Sequence, residues 1–130
     1  MSILEKRALQ LAVGIACLVP ILAGGAGMLQ GPGTLYQGMI GLDLDSHFRY
    51  LSGLLLGIGL GFVSTIPRIE THSQRFTLLA GIVVVGGLGR LLALIATGAP
   101  STAMKLALVM ELIVTPALAL WQRRVARGAP

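Results

Sequence analysis

The sequence predicts an all-α membrane protein: a polytopic, antiparallel four-helix bundle with both termini on the cytoplasmic side. Three observations predict it. The composition is too apolar for a soluble chain of this length, the apolar residues fall in four runs of spanning length, and Lys and Arg gather at the ends of those runs. Of 130 residues, 55% are hydrophobic and 12% charged, and the mean hydropathy is +0.85. A small soluble domain exposes too much of its surface to hide that share of apolar side chain. Charged residues are about half as frequent as in an ordinary globular domain. Eighteen glycines beside few aromatics suit transmembrane helices, where small residues let backbones approach.

The formal net charge of +5 raises nucleic-acid binding, and the placement of the charges excludes it. The cations form no stripe interleaved with aromatics; they sit at the ends of apolar runs, where positive charge orients a membrane protein. A single cysteine, Cys17, excludes an internal disulfide and a CxxC motif, and its position inside an apolar run makes it a packing residue.

The four helices are expected at residues 8–28, 47–66, 76–97 and 102–121, within one transmembrane domain covering 1–130. Each is close to the ~20 residues that cross ~30 Å of hydrocarbon. The runs are continuous rather than alternating and too long for barrel strands. The first run follows Glu5, Lys6 and Arg7 and resembles a signal peptide, with a small-residue stretch at Ala23–Gly27. Its near-spanning length favours a retained helix.

The longest connection begins at Gln30-Gly31-Pro32-Gly33 and extends to Ser46, with Asp43 and Asp45 inside it. The stretch from Pro67 to Gln74 joins the second and third helices, with Glu70 and His72 read as solvated. Gly98-Ala99-Pro100-Ser101 is a tight turn, which makes the third and fourth helices an antiparallel hairpin. With four crossings, Lys6, Arg7, Arg68, Arg75, Arg123, Arg124 and Arg127 share one side of the membrane. The positive-inside rule makes that side cytoplasmic and predicts a multi-pass protein of the inner membrane. Trp121 fits an interfacial anchor.

Two ionisable residues lie well inside apolar runs: Arg90 in the third and Glu111 in the fourth. Each costs ~2.5–3.5 kcal/mol at mid-membrane on insertion scales. They are equally far from the turn at Pro100 and Ser101, so folding the hairpin sets them at one depth, about 10–15 Å from the outer end. The second helix starts on that same outer side, with Asp45 or Ser46 as its N-cap. Arg49 then follows in its first turn, on a face shared with Gly53, Gly57 and Gly61. Two overlapping GxxxG patterns on that face predict close packing against a neighbour and aim Arg49 inward. The third helix has its own small patch at Gly86, Gly87 and Gly89.

The predicted cluster is therefore Asp45, His47, Arg49, Arg90 and Glu111, with Asp43 beside it. Two readings fit it. Arg90 and Glu111 are a staple holding the hairpin in register, since buried pairs can specify geometry. Alternatively they belong to a ligand or proton site, the usual meaning of intramembrane charge. His47 reads as a helix-start interfacial residue, and one His with two Asp is too little for a metal site. No residue is assigned a catalytic role, and no cofactor is implied. Pro20 and Pro116 should kink their helices and free carbonyls one turn back; Thr115 could cap such a defect. The glycines of Gly57-Ile58-Gly59-Leu60-Gly61 lack the strand–turn–helix context of a nucleotide fingerprint.

The string from Asp45 to Gly53, then Gly89-Arg90-Leu91 before Gly98-Ala99-Pro100, then Glu111-Leu112 and Pro116, resembles the bacterial domain-of-unknown-function 4345 family. The resemblance covers nearly the whole chain. That family is similar to the broader DoxX-like group of small four-helix membrane proteins. The resemblance implies the same topology and no activity.

Three functions remain in competition. The first, which the balance favours over an enzyme, is a non-catalytic accessory subunit or binding protein, joined to a larger complex or to its own copies through Gly53, Gly57 and Gly61. The second is a site for a lipid-, quinone- or sterol-like ligand entered from the outer leaflet, with acid–base or redox chemistry on it. Bundles commonly house such pockets. The third is a small dimeric exporter, which would want a carboxylate mid-membrane in the first helix, where none stands. The partner common to all three is the lipid bilayer.

Overall fold

A computed structural model of the chain describes residues 2–34 and 38–130. Among them every regular element is helical. Helix α1 spans Ile3–Gln30, α2 Leu42–Val63, α3 Ser73–Thr97, α4 Thr102–Val109 and α5 Thr115–Arg127. Short 3₁₀ turns occupy Pro32–Thr34 and Ile66–Thr71, and a π-helical turn, Met110–Val114, joins α4 to α5. Thr102–Arg127 is thus one continuous helix with a π turn in its middle. The connection expected between the first two helices includes residues 35–37, which lie outside the described residues.

Among the described residues, three helices are long and apolar enough to cross a membrane: Ile3–Gln30, Ser73–Thr97 and Thr102–Arg127. Helix α2 is not among them. Its first two turns carry Asp43, Asp45, Ser46, His47 and Arg49, and the apolar remainder, 51–63, is shorter than a full crossing needs. The start of α2 differs from the expected one. The helix begins at Leu42 behind an extended Gly41, not at His47, and neither Asp45 nor Ser46 is its N-cap. Asp43 and Asp45 instead sit in the first helical turn, where carboxylates interact well with the positive end of the helix dipole.

The chain forms two compact units: residues 1–10 with 67–130, and residues 11–66. In the first unit, Leu9, Ile69, Phe76, Ala80 and Val125 are buried, together with the polar Gln122. In the second, Val13, Cys17 and Phe62 are buried, with Ser52 and Thr65. Outside these small cores the helices expose large apolar side chains along their lengths, such as Leu11, Ile15, Leu18 and Leu22 on α1 and Leu78, Ile82, Val85 and Leu92 on α3. Water would penalise such surface heavily, whereas lipid accepts it.

Close approach in the second unit follows from α1 and α2. A Cβ on Gly24 would stand 2.5 Å from the Leu56 nitrogen and 2.7 Å from the Ser52 carbonyl oxygen. Gly27 faces Ser52, and Gly59 faces Pro20 and Ile21. The tight face of α2 is therefore the Ser52–Leu56–Gly59 face. On the expected glycine stripe, Gly57 has open space around it and Gly53 meets only the Met28 sulfur.

Candidate functional site

The first unit holds the intramembrane charges. Arg90 projects from the middle of α3 and Glu111 from the π turn. Arg90 Nε donates to Glu111 Oε2 at 3.0 Å and to Oε1 at 3.2 Å, and Nη2 donates to Oε1 at 3.0 Å. The remaining terminal nitrogen, Nη1, donates to the Met104 sulfur at 3.0 Å. Both carboxylate oxygens and three guanidinium nitrogens are thus engaged. The geometry is the forked kind that arginine makes with carboxylates. Side-chain exposure is 33% for Arg90 and 18% for Glu111.

The local backbone explains how Glu111 is presented. Pro116 has no N–H, so the Leu112 carbonyl loses its α-helical donor. The chain responds with a π turn over Met110–Val114. Both the N–H and the hydroxyl of Thr115 reach back five residues to the Met110 carbonyl, the hydroxyl at 2.8 Å. Single π turns of this kind are common at functional positions, because the extra residue re-aims the side chains it carries. Opposite the turn lies Gly87 of α3. A Cβ there would stand 2.8 Å from Glu111 Cβ and 2.8 Å from a Leu112 methyl, so the helices touch closely one turn from the pair. Gly86 and Gly89 face open space.

Asp45, His47 and Arg49 belong to the second unit, and their arrangement is different. Arg49 Nε donates to Asp45 Oδ1 at 2.8 Å. Its Nη1 donates to the Met28 carbonyl at 3.1 Å and the Leu29 carbonyl at 3.0 Å. The last carbonyls of a helix have no intrahelical donors, and Arg49 supplies them for α1. Gly31 makes this possible twice over. Its φ of +71° lets the chain leave the helix, and a Cβ on it would stand 2.6 Å from Arg49 Nη2. Arg49 is therefore a capping residue for α1. His47 is exposed, with its ring centroid 6.5 Å from that of Tyr50. Asp43 is exposed as well.

A third polar group, in the first unit, escaped the sequence reading. Glu70 is not a solvated loop carboxylate. Its Oε1 lies 2.9 Å from Lys6 Nζ, and its side chain is 17% exposed. The lysine holds the Glu70 carboxyl below its usual range, against the opposing effect of burial. Gln122 is fully buried, and its amide nitrogen donates to the Ile69 carbonyl at 2.8 Å and the Ser73 hydroxyl at 3.0 Å, on either side of Glu70 in the sequence. Glu5 and Arg124 pair at 3.1 Å. These contacts tie the start of α1 and the end of α5 to the 66–71 turn. The signal available in sequence was the i, i+3 spacing of Gln122 and Val125, both buried, past the apparent end of the apolar run.

Two shallow, open surface patches lie along α3 in the first unit. One of about 430 Å³ is lined by Thr77, Leu78, Gly81, Ile82 and Val85. Another of about 500 Å³ is lined by Ser73, Gln74, Thr77, Leu78 and Arg123. Arg90 and Glu111 line neither.

A family model with the description "Domain of unknown function (DUF4345)" matches residues 8–122. No curated protein and no solved structure shows a significant match.

Proposed function

The chain belongs to the DUF4345 family, and from that premise we propose that it is a non-catalytic, multi-pass component of the inner membrane, acting as an accessory or binding protein. In this reading α2 makes a fourth crossing beside the three longer helices, and both termini lie in the cytoplasm. The cation distribution supports it. With four crossings, Lys6, Arg7, Arg68, Arg75, Arg123, Arg124 and Arg127 share a side, while three would strand the C-terminal group on the other.

The observation that carries the non-catalytic reading is the mutual satisfaction of Arg90 and Glu111. The groups most expensive to bury spend their hydrogen bonds on each other and on Met104, beside the close contact at Gly87. Buried pairs of this kind can specify geometry. The pair thus serves as a staple that sets the register of α3 against Thr102–Arg127. Open glycines at Gly57, Gly86 and Gly89 supply surface on which another membrane helix could lie closely.

The test is charge exchange. Arg90→Glu and Glu111→Arg, each alone, should sharply reduce the folded protein recovered from membranes. Together they should restore most of it. A double variant that stays as depleted as the singles would defeat the staple. A folded double variant that has lost a small molecule co-purifying with the natural protein would instead establish the ligand-site reading.

A further inference from the structure

We propose that the end of the first unit carrying Arg7, Arg68, Arg123 and Arg127 binds the headgroups of anionic phospholipids. Four contacts bring three stretches of chain to that end. Lys6 pairs with Glu70 at 2.9 Å and Glu5 with Arg124 at 3.1 Å. Gln122 donates to the Ile69 carbonyl and to the Ser73 hydroxyl. The start of α1, the 66–71 turn with the start of α3, and the end of α5 therefore lie side by side. Seven of the chain's ten Lys and Arg and two of its five carboxylates fall in these stretches. The other three of each cancel, so the whole net charge of +5 belongs to this end.

The protein does not neutralise that charge itself. Both carboxylates at this end are taken, Glu70 by Lys6 and Glu5 by Arg124. Arg7, Arg68, Arg123 and Arg127 are exposed and have no ion-pair partner among the described residues. Placement selects the counter-charge. Each of the three helices of membrane-spanning length has an end here: α1 and α3 begin and Thr102–Arg127 finishes. The four guanidiniums therefore lie at headgroup level, beside the half-buried Trp121, a side chain suited to the interface. A guanidinium at that level attracts anionic lipid and can grip a phosphate through paired N–H donors. A zwitterionic headgroup brings its own ammonium beside the phosphate; an anionic one leaves the phosphate for the protein to neutralise.

The inference depends on membrane embedding of these three helices and not on the role of Arg90 and Glu111, so the charge-exchange experiment can fail without affecting it. Trp121 is the chain's one tryptophan, and its fluorescence reports the lipid beside this end. The test reconstitutes the full chain in vesicles of equal phosphatidylglycerol and phosphatidylcholine, with one or the other brominated to quench the indole. Brominated phosphatidylglycerol should quench more strongly, by an amount corresponding to about a fivefold local preference, the worth of one basic residue at an anionic surface. Arg7→Gln, Arg68→Gln, Arg123→Gln and Arg127→Gln together should bring the two lipids to parity with unchanged circular dichroism. Lys at the same four positions should keep the preference. Lys105→Gln, near the other end of the helix that carries Trp121, should leave it unaltered. Should the fourfold Gln variant fold poorly, raising salt from about 0.1 M to about 1 M screens the same charges in the natural chain and should remove most of the preference. Equal quenching by the two lipids overturns the proposal, as does a preference that survives the Gln variant or the high salt. Loss of the preference on adding millimolar inorganic phosphate at constant ionic strength would mark a free-anion site and overturns it too.

Discussion

Arg90 and Arg49 are each paired with a carboxylate, yet they do different work. Arg90 meets Glu111 across two helices, 21 residues apart in sequence, with a thioether as its other partner among the described residues. Arg49 meets Asp45 one turn away on its own helix and spends its remaining bonds on the carbonyls that end α1. Under the proposed staple, the first pair fixes how two long helices align. The second finishes a helix and secures its successor's first turn to it. An arginine's role is thus set by what its surplus donors find: other side chains in the apolar interior, or an exposed helix terminus nearer water.

The sharpest way to break the comparison is to remove one carboxylate at a time. Glu111→Ala leaves the Arg90 guanidinium unpaired inside an apolar segment and should cost on the order of 2.5–3.5 kcal/mol, the insertion penalty of such a charge. Asp45→Ala leaves Arg49 its two carbonyl partners and should cost well under 1 kcal/mol, as exposed i, i+4 pairs do. Denaturation in mixed micelles would measure both. Equal losses would show that the two arginines are held alike.

Next in size is close helix contact. Gly87→Ala presses on the Leu112 side chain, which can rotate, and on Glu111 Cβ, and about 1–3 kcal/mol is expected from overpacking. Gly24→Ala meets backbone atoms of α2, which cannot step aside, and should lie at the upper end of that range. Reversing that order would argue that the pair, rather than the backbone, limits how closely helices approach.

Arg49→Ala should cost about 1 kcal/mol, within the span for cations at helix C-termini. Its signature is local: faster amide exchange near Met28 and Leu29, with the α3 amides near Arg90 unchanged. An unchanged exchange rate at Met28 would dismiss the capping role.

The smallest effect concerns the Lys6–Glu70 pair, a third type of contact between helix start and turn. Glu70 has its pKa lowered in the folded chain. Its stabilisation is therefore present above the usual Glu value of about 4.3 and is lost as pH falls through the lowered folded value. Proteolysis of the 66–71 turn should rise as pH falls below about 4, and Glu70→Gln should flatten that rise. A rise unaltered in the Gln variant would assign the acid sensitivity elsewhere.

Much of the fold was legible because membrane cost is additive along the chain. Apolar runs and their basic ends locate α1, α3 and Thr102–Arg127 to within a few residues, except where α5 continues past Trp121 to Arg127. That last stretch is polar, and within it the buried Gln122 donates to the Ile69 carbonyl of the 66–71 turn, a tertiary contact that periodicity over an apolar window cannot register. The start of α2 was misplaced for a related reason. Asp43 and Asp45 look like turn residues in sequence, but they are tolerated inside a first turn when the dipole favours them and Arg49 stands one turn on. The glycine stripe does not make the tight contact between α1 and α2, where Gly53 meets only the Met28 sulfur. Gly24, Gly27 and Gly59 carry the close approach of α1 and α2 while Gly57 stays open.

The site residues divide in the same way. Sequence alone determined that Arg90 and Glu111 must find partners, because an apolar surrounding leaves a lone charge no other outcome. It also determined the helical class and the disposition of cations around the spans. Only tertiary structure decided which atoms satisfy them. The π turn forced by Pro116 and answered by Thr115 positions Glu111, Met104 takes a further guanidinium nitrogen of Arg90, and Arg49 caps the end of α1. Hydropathy is a property of each residue and can be summed from sequence. The direction of a hydrogen bond depends on where the backbone has turned, and here one missing N–H and one positive-φ glycine set those directions.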